Sequence, residues 1–216
     1  MIGMRGMRDD LIPTMDIKDR STPDAPRLIS RHYFYNNVNT TFVTPGGTGF
    51  AIMRGIASGA YDPSYGQGFV GAGGDFARTD MVIGQGRPLV IHVRPLAAYE
   101  ASVSLDGVKV MRAAPPTNVF LSQPAAEGAS IGTVVVRGST GTTDVPAGKA
   151  WGGNPGQETS TGDNLLLNGK GAYVTPYEFA FATYGGGGAR PPVANQQILA
   201  NGGGILVLEF WTSDPR

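Results

Sequence analysis

The chain contains no cysteine, which excludes both a disulfide framework and a thiolate metal site. Histidine is nearly absent too: His32 and His92 stand far apart in the chain, too few for a histidine-based zinc site. Charged residues make up 16% of the 216 residues, below the roughly 25% of an average soluble domain. Lysine plus arginine balances aspartate plus glutamate at 17 each, and Arg5, Arg8, Arg20, Arg27 and Arg31 are scattered rather than gathered into a basic stripe. Nucleic-acid binding by the body of the protein is therefore not expected. No apolar run approaches 18 residues, so no membrane-spanning helix is expected. Met1 to Ile17 mixes charges with apolar residues and lacks the continuous apolar stretch of a secretory signal, so synthesis as a soluble cytoplasmic product is expected. Helical periodicity is also missing; the best stretch free of glycine and proline, Leu96 to Asp106, alternates with period two over half its length.

Glycine and proline are what the chain has in excess, at 33 and 16 residues. That content borders on low-complexity disorder, but 41% hydrophobic residues, a net charge of zero and well-spread aromatics favour a folded core. The glycines then read as turn and close-packing residues. A surface so poor in charge predicts coverage by partners, hence a homo-oligomer, a trimer as first choice, or a larger assembly.

Two regions differ in texture. Residues 1–30 hold four of the seven methionines and little amphipathic period, and read as an extended arm that orders against a neighbour through Met4, Met7, Leu11, Ile12, Met15 and Ile17. Residues 31–216 read as one glycine-rich β-domain. HYFYNN, NTTFVTP, FAIMRGIA, MVIG, PLVIHVRPL, ASVSLDGVKVMRA, NVFL, IGTVVVRG, AYVTPYEFAFATY and GILVLEFW are strand-length runs rich in β-branched or aromatic residues. Asp106-Gly107 marks a two-residue hairpin, with Val103 and Leu105 on one face and Ser102 and Ser104 on the other, as in a half-exposed antiparallel sheet. Glycine clusters at 46–47, 55–74, 151–156, 184–188 and 201–204 alternate with these runs at no fixed period, which argues against a solenoid. The expected fold is all-β: an antiparallel β-sandwich or jelly-roll-like barrel with long glycine-rich loops and an extended N-terminal arm.

Motifs of chemistry fail on context. Gly66 to Gly71 matches G-x-G-x-x-G, but another glycine cluster follows where a phosphate-binding helix should start. Gly128 to Gly132 matches G-x-S-x-G around Ser130, yet no histidine follows to complete a hydrolase triad, so a turn is expected. His92 reads as a strand residue, and His32 as packing with Tyr33, Phe34 and Tyr35. Asp75 and Asp80 read as a loop-to-strand junction, able to cap turns or hold a cation weakly. Asp9-Asp10 belongs to the arm. No cofactor or metal and no catalysis are expected. Tyr61, Tyr65, Phe69, Trp151 and Tyr184, aromatics set among glycines, are the candidate partner or ligand surface.

One longer pattern is more specific. Thr41-Phe42-Val43-Thr44-Pro45-Gly46 opens it, Gly84 to Val93 supplies a strand of the type G-x-x-L-x-I-x-V, and Gly202-Gly203-Gly204-Ile205-Leu206-Val207-Leu208-Glu209-Phe210 closes it with an acidic-aromatic pair. In this order the chain resembles the glycine-rich domains of tailed-bacteriophage fibre and spike proteins over most of residues 38–211, with Met53-Arg54 where small residues are expected. The resemblance implies a virion structural protein, assembled in the host cytoplasm, that forms an exterior head or tail appendage. It also implies contact with other virion proteins and with a host surface glycan or protein. The alternatives are a capsid or tail decoration (cement) protein without receptor binding, and a polysaccharide hydrolase on a β-scaffold, whose paired carboxylates need not be close in sequence.

Overall fold

The computed structural model describes residues 25–35, 37–60, 70–93, 100–117, 123–157, 169–175, 177–190, 199–200 and 202–216. They contain no helix. In chain order the strands are β1 (Leu28–Tyr35), β2 (Val38–Val43), β3 (Phe50–Ile56), β4 (Phe76–Val82), β5 (Pro88–Val93), β6 (Ala101–Leu105), β7 (Val108–Ala113), β8 (Val134–Val136), β9 (Thr142–Asp144), β10 (Lys149–Trp151), β11 (Tyr173–Val174), β12 (Phe179–Ala180) and β13 (Ile205–Trp211). Every pairing between them is antiparallel. The expected run NVFL lies outside the described residues.

Two sheets face each other as a sandwich, in the orders β1-β13-β3-β4-β8 and β2-β5-β6-β7. Neither closes into a barrel, so of the two expected architectures the sandwich is the one compatible with this arrangement. Alternation puts Ala51 and Met53 of β3, Leu206, Leu208 and Phe210 of β13, Leu89, Ile91 and Val93 of β5, Val103 of β6 and Met111 of β7 into one buried core. Each of the larger of these side chains contributes about 1.5–3 kcal/mol by burial. His32 points into the same core: its ring lies 4.5 Å from Phe42 and 6.1 Å from Phe210, with Ser30 in hydrogen-bond contact at 3.0 Å. It thus packs across the sandwich rather than with the tyrosines beside it in sequence, because neighbours along a strand point to opposite faces.

The Asp106-Gly107 hairpin forms as expected, with φ of 52° and 79° and Leu105 opposite Val108. Ser102, on the expected outer face, is nonetheless buried. Glu100 folds over it, accepting hydrogen bonds from Ser102 Oγ (3.0 Å), Lys109 Nζ (2.7 Å) and Arg112 Nε (2.7 Å). On the outer face of the first sheet, Glu209 of β13 is 1% exposed and holds Arg31 of β1 and Arg54 of β3, its Oε2 lying 2.7 Å from Arg54 Nη1. Asp80 is not at a junction: it lies within β4, paired with Arg78 and Arg216.

Above the sandwich the glycine clusters form a third body. Within five residues, the amides of Gly71, Gly73, Gly74 and Asp75 donate to the carbonyls of Gly188, Ser139, Gly185 and Ala114. The carbonyls of Gly71, Ala72 and Gly74 accept from Gly153, Ala60 and Gly156. A flat strand can bond to two neighbours only. Bonding to the segments around 60, 139, 154 and 187 in turn requires amides that rotate about the chain axis, as they do at three residues per turn in polyproline II geometry. Such a bundle closes only if side chains are missing, since a β-carbon on Gly71 would sit 1.8 Å from the Ala60 carbonyl oxygen and one on Gly186 1.8 Å from that of Lys170. The glycines are thus chiefly contact residues, and Gly185, with φ of 70°, is the only left-handed one among them.

Candidate functional site

The bundle grows into a small sheet of order β12-β11-β10-β9. β10 runs directly into the bundle segment 152–157, and β11 continues the segment 169–172. Ala150 and Val174 turn one face of this sheet inward onto Val70, Ala172, Ala189 and Leu199, which anchors it to the bundle. The bridges Val70–Ala189 and Ala189–Leu199, and the hydrogen bonds of Ala60 to Ala72 and Gly188, gather the same end of the bundle.

Two tight turns hold the sheet. In the first, Ala147 N donates to Asp144 Oδ1 at 3.2 Å and Gly148 N to the Val145 carbonyl. In the second, Thr175 Oγ1 accepts from the amides of Tyr177 (3.2 Å) and Glu178 (3.0 Å). The pairings Trp151–Tyr173, Trp151–Thr142, Tyr173–Ala180 and Lys149–Asp144 place Thr142, Asp144, Lys149, Trp151, Tyr173 and Ala180 on one face. On that face the Trp151 and Tyr173 rings lie 6.0 Å apart and 29° from parallel. Tyr173 OH donates to Glu178 Oε1 at 2.7 Å; that bond, more than burial, raises the phenol above its ordinary pKa. Beyond it, Phe179 and Phe181 meet edge to face at 5.6 Å and are 52% and 60% exposed, and Tyr177 is 97% exposed.

Of the aromatics expected at the surface, Trp151 lies in this sheet. Tyr184 lies on the turn leading back into the bundle, next to Gly185, where a β-carbon would collide with Ile56 and Pro155. Tyr184 is 47% exposed and takes no part in the Trp151–Tyr173 pair. Tyr61, Tyr65 and Phe69 lie outside the described residues, although Ala60 and Val70 on either side of them belong to the end of the bundle that carries the sheet. Met4, Met7, Leu11, Ile12, Met15 and Ile17 are outside the described residues as well. Tyr173, Tyr177, Phe179 and Phe181 were absorbed into one strand-like run in the sequence; the Thr175-to-Glu178 turn in its middle is what brings them to the surface.

A second cluster sits where bundle and sandwich join. Asp75, 1% exposed, accepts from Ser130 Oγ (2.7 Å) and from Gly138 N (3.0 Å), while Ser130 Oγ accepts from Ala114 N (2.9 Å). Burial pushes the Asp75 carboxyl above its ordinary value, against the opposing pull of Ser130, the Gly138 amide and Arg137. Asp75 and Ser130 line a pocket of about 290 Å³ with Ala126, Glu127, Gly128, Val135 and Arg137. Ser130 thus meets an acid directly, with no imidazole between them, and both Asp75 oxygens are bonded to the chain itself. The arrangement ties four segments together. Among the described residues no group of three or more histidine, aspartate or glutamate side chains could hold a metal ion.

No protein-family model matches the chain, and a search of curated proteins finds none significantly similar to it.

Proposed function

We propose that the protein is a non-catalytic structural component of a bacteriophage particle, an exterior appendage that touches the host surface with the end of its glycine bundle. The observation that carries this reading is the polarity of the molecule. β1 begins at Leu28 opposite Trp211, so the described chain enters the sandwich at the end away from the bundle. The aromatic sheet stands beyond the bundle at the other end. Exposed Val43, Val82 and Val108 lie at strand ends on the side away from the bundle, apolar surface suited to cover by neighbouring virion subunits or by other copies of the chain. The bundle between the two ends is a lattice of backbone hydrogen bonds in which most close contacts are backbone against backbone, a stiff spacer.

The test is to locate the protein in particles and to add the purified chain to host cells before infection. Labelling at the particle exterior with competition for adsorption supports the appendage. Labelled particles that adsorb normally in excess free protein, and that become fragile without it, identify a decoration protein instead. Absence from particles overturns both.

A polysaccharide hydrolase is the second reading, drawn from Asp75 and Glu127 lining one pocket, with burial holding the Asp75 carboxyl above its ordinary value. Release of reducing ends from host polysaccharide by the wild type and not by Asp75→Asn would establish it.

A further inference from the structure

The small sheet offers something more definite than an exposed apolar patch. Its outer face carries two half-buried aromatic rings, Trp151 and Tyr173, with centroids 6.0 Å apart and planes inclined at 29°. Around them the same face or its adjoining turn carries the Thr142 hydroxyl, the Asp144 carboxylate, the Lys149 ammonium and the Glu178 carboxylate that Tyr173 holds. The rings are fixed from beneath, since Ala150 and Val174 between them are locked into the bundle. An apolar platform ringed by donors and acceptors is the complement of a pyranose, whose ring has an apolar C–H face and a hydroxyl rim. A purely aliphatic ligand would bury the rim groups without partners, which is unfavourable.

Size points the same way. Four strands about 4.8 Å apart and two or three residues long cover roughly 150 Å². A standard protein partner needs about 800 Å² on each side. The platform accommodates one or two sugar rings.

Building on the appendage reading, we infer that Trp151 and Tyr173 form a carbohydrate platform that binds a polysaccharide of the host cell surface. Trp151 supplies the main stacking face, Tyr173 extends it, and Glu178 and Lys149 accept from and donate to ring hydroxyls.

The probe is an array of purified bacterial surface polysaccharides, followed by titration of any retained polysaccharide into a Trp211→Phe variant, in which Trp151 is the sole indole. The expected result is retention on at least one polysaccharide and a shift of Trp151 emission on titration. Trp151→Ala should weaken binding roughly tenfold or more, as loss of an aromatic stacking partner does elsewhere, and Trp151→Phe less. Tyr173→Phe keeps the ring and frees Glu178, so it tests the rim. Thermal melts of each variant show whether the fold survives; the ring-preserving Phe variants answer the question if Trp151→Ala does not fold. Retention of no polysaccharide, binding insensitive to Trp151, or capture of host surface protein alone overturns the inference. Particles carrying Trp151→Ala that retain the protein yet adsorb normally overturn the platform and leave the appendage standing. A chain missing from particles overturns the appendage alone.

Discussion

A β-carbon on Gly171 would lie 1.8 Å from the carbonyl oxygen of Gly152, far inside contact distance. The obstacle is backbone on both sides, so neither segment can yield by changing a rotamer. Comparable contacts recur at Gly71, Gly153, Gly156, Gly186 and Gly202, which makes the bundle a set of mutual exclusions.

Gly171→Ala should therefore destabilise the protein by about 2–3 kcal/mol or more, the cost of overpacking. Gly84, with nothing within 4 Å of its would-be β-carbon, is the control, and Gly84→Ala should stay within roughly 0.5 kcal/mol of wild type. Thermal melts compare them, at roughly 2–4 °C per kcal/mol for a chain of this size.

Gly107 separates crowding from backbone strain. It has open space around it but φ of 79°, so Gly107→Ala should cost roughly 1–2 kcal/mol from conformation alone. Asp106→Asn, which suits the same turn, should be near neutral in urea unfolding.

Glu209→Gln leaves the size of the side chain unchanged and removes the charge that Arg31 and Arg54 share. Loss of one partner in a buried ion pair costs about 3–5 kcal/mol. The exposed Arg87–Asp106 pair is the contrast: Arg87→Ala should change stability by no more than about 1 kcal/mol. Equilibrium unfolding in denaturant measures both.

Two buried carboxylates should give opposite pH slopes. Burial opposes ionisation of Glu100, but Lys109, Arg112 and Ser102 outweigh it and hold the group below its ordinary 4.5. Its contribution is present above that value and lost as pH falls through the lowered folded pKa. Burial dominates at Asp75 and raises it above 3.8, so its contribution is full below 3.8 and lost as pH rises through the raised folded pKa. Relative to Glu100→Gln, the wild type should gain stability with rising pH; relative to Asp75→Asn it should lose it. Unfolding midpoints at a series of pH values from acid to neutral decide the matter.

Parts of this structure were legible in local sequence. The Asp106-Gly107 hairpin and the alternating Val103 and Leu105 depend on interactions between near neighbours, so the residues alone suffice. The strand-length runs and lack of helical period likewise pointed to an all-β chain. Glycine was readable as a close-packing residue, but not which glycine meets which. The same limit applies to the candidate surface: Trp151 stood out as an aromatic among glycines, while Tyr173, Phe179 and Phe181 merged into one apolar run whose turn at Thr175 hides in a strand-like composition.

Glycine, β-branched residues and the scarcity of charge were enough to set the class of structure, since these act on the backbone locally and on the total apolar surface. The tertiary structure alone decided that Glu209 holds Arg54, that Ser130 anchors Asp75, that Asp80 sits inside a strand, and that Gly171 lies against Gly152. Each of those pairs segments brought together only by the fold or depends on strand register, and a displacement of one residue turns every side chain in a strand to the other face.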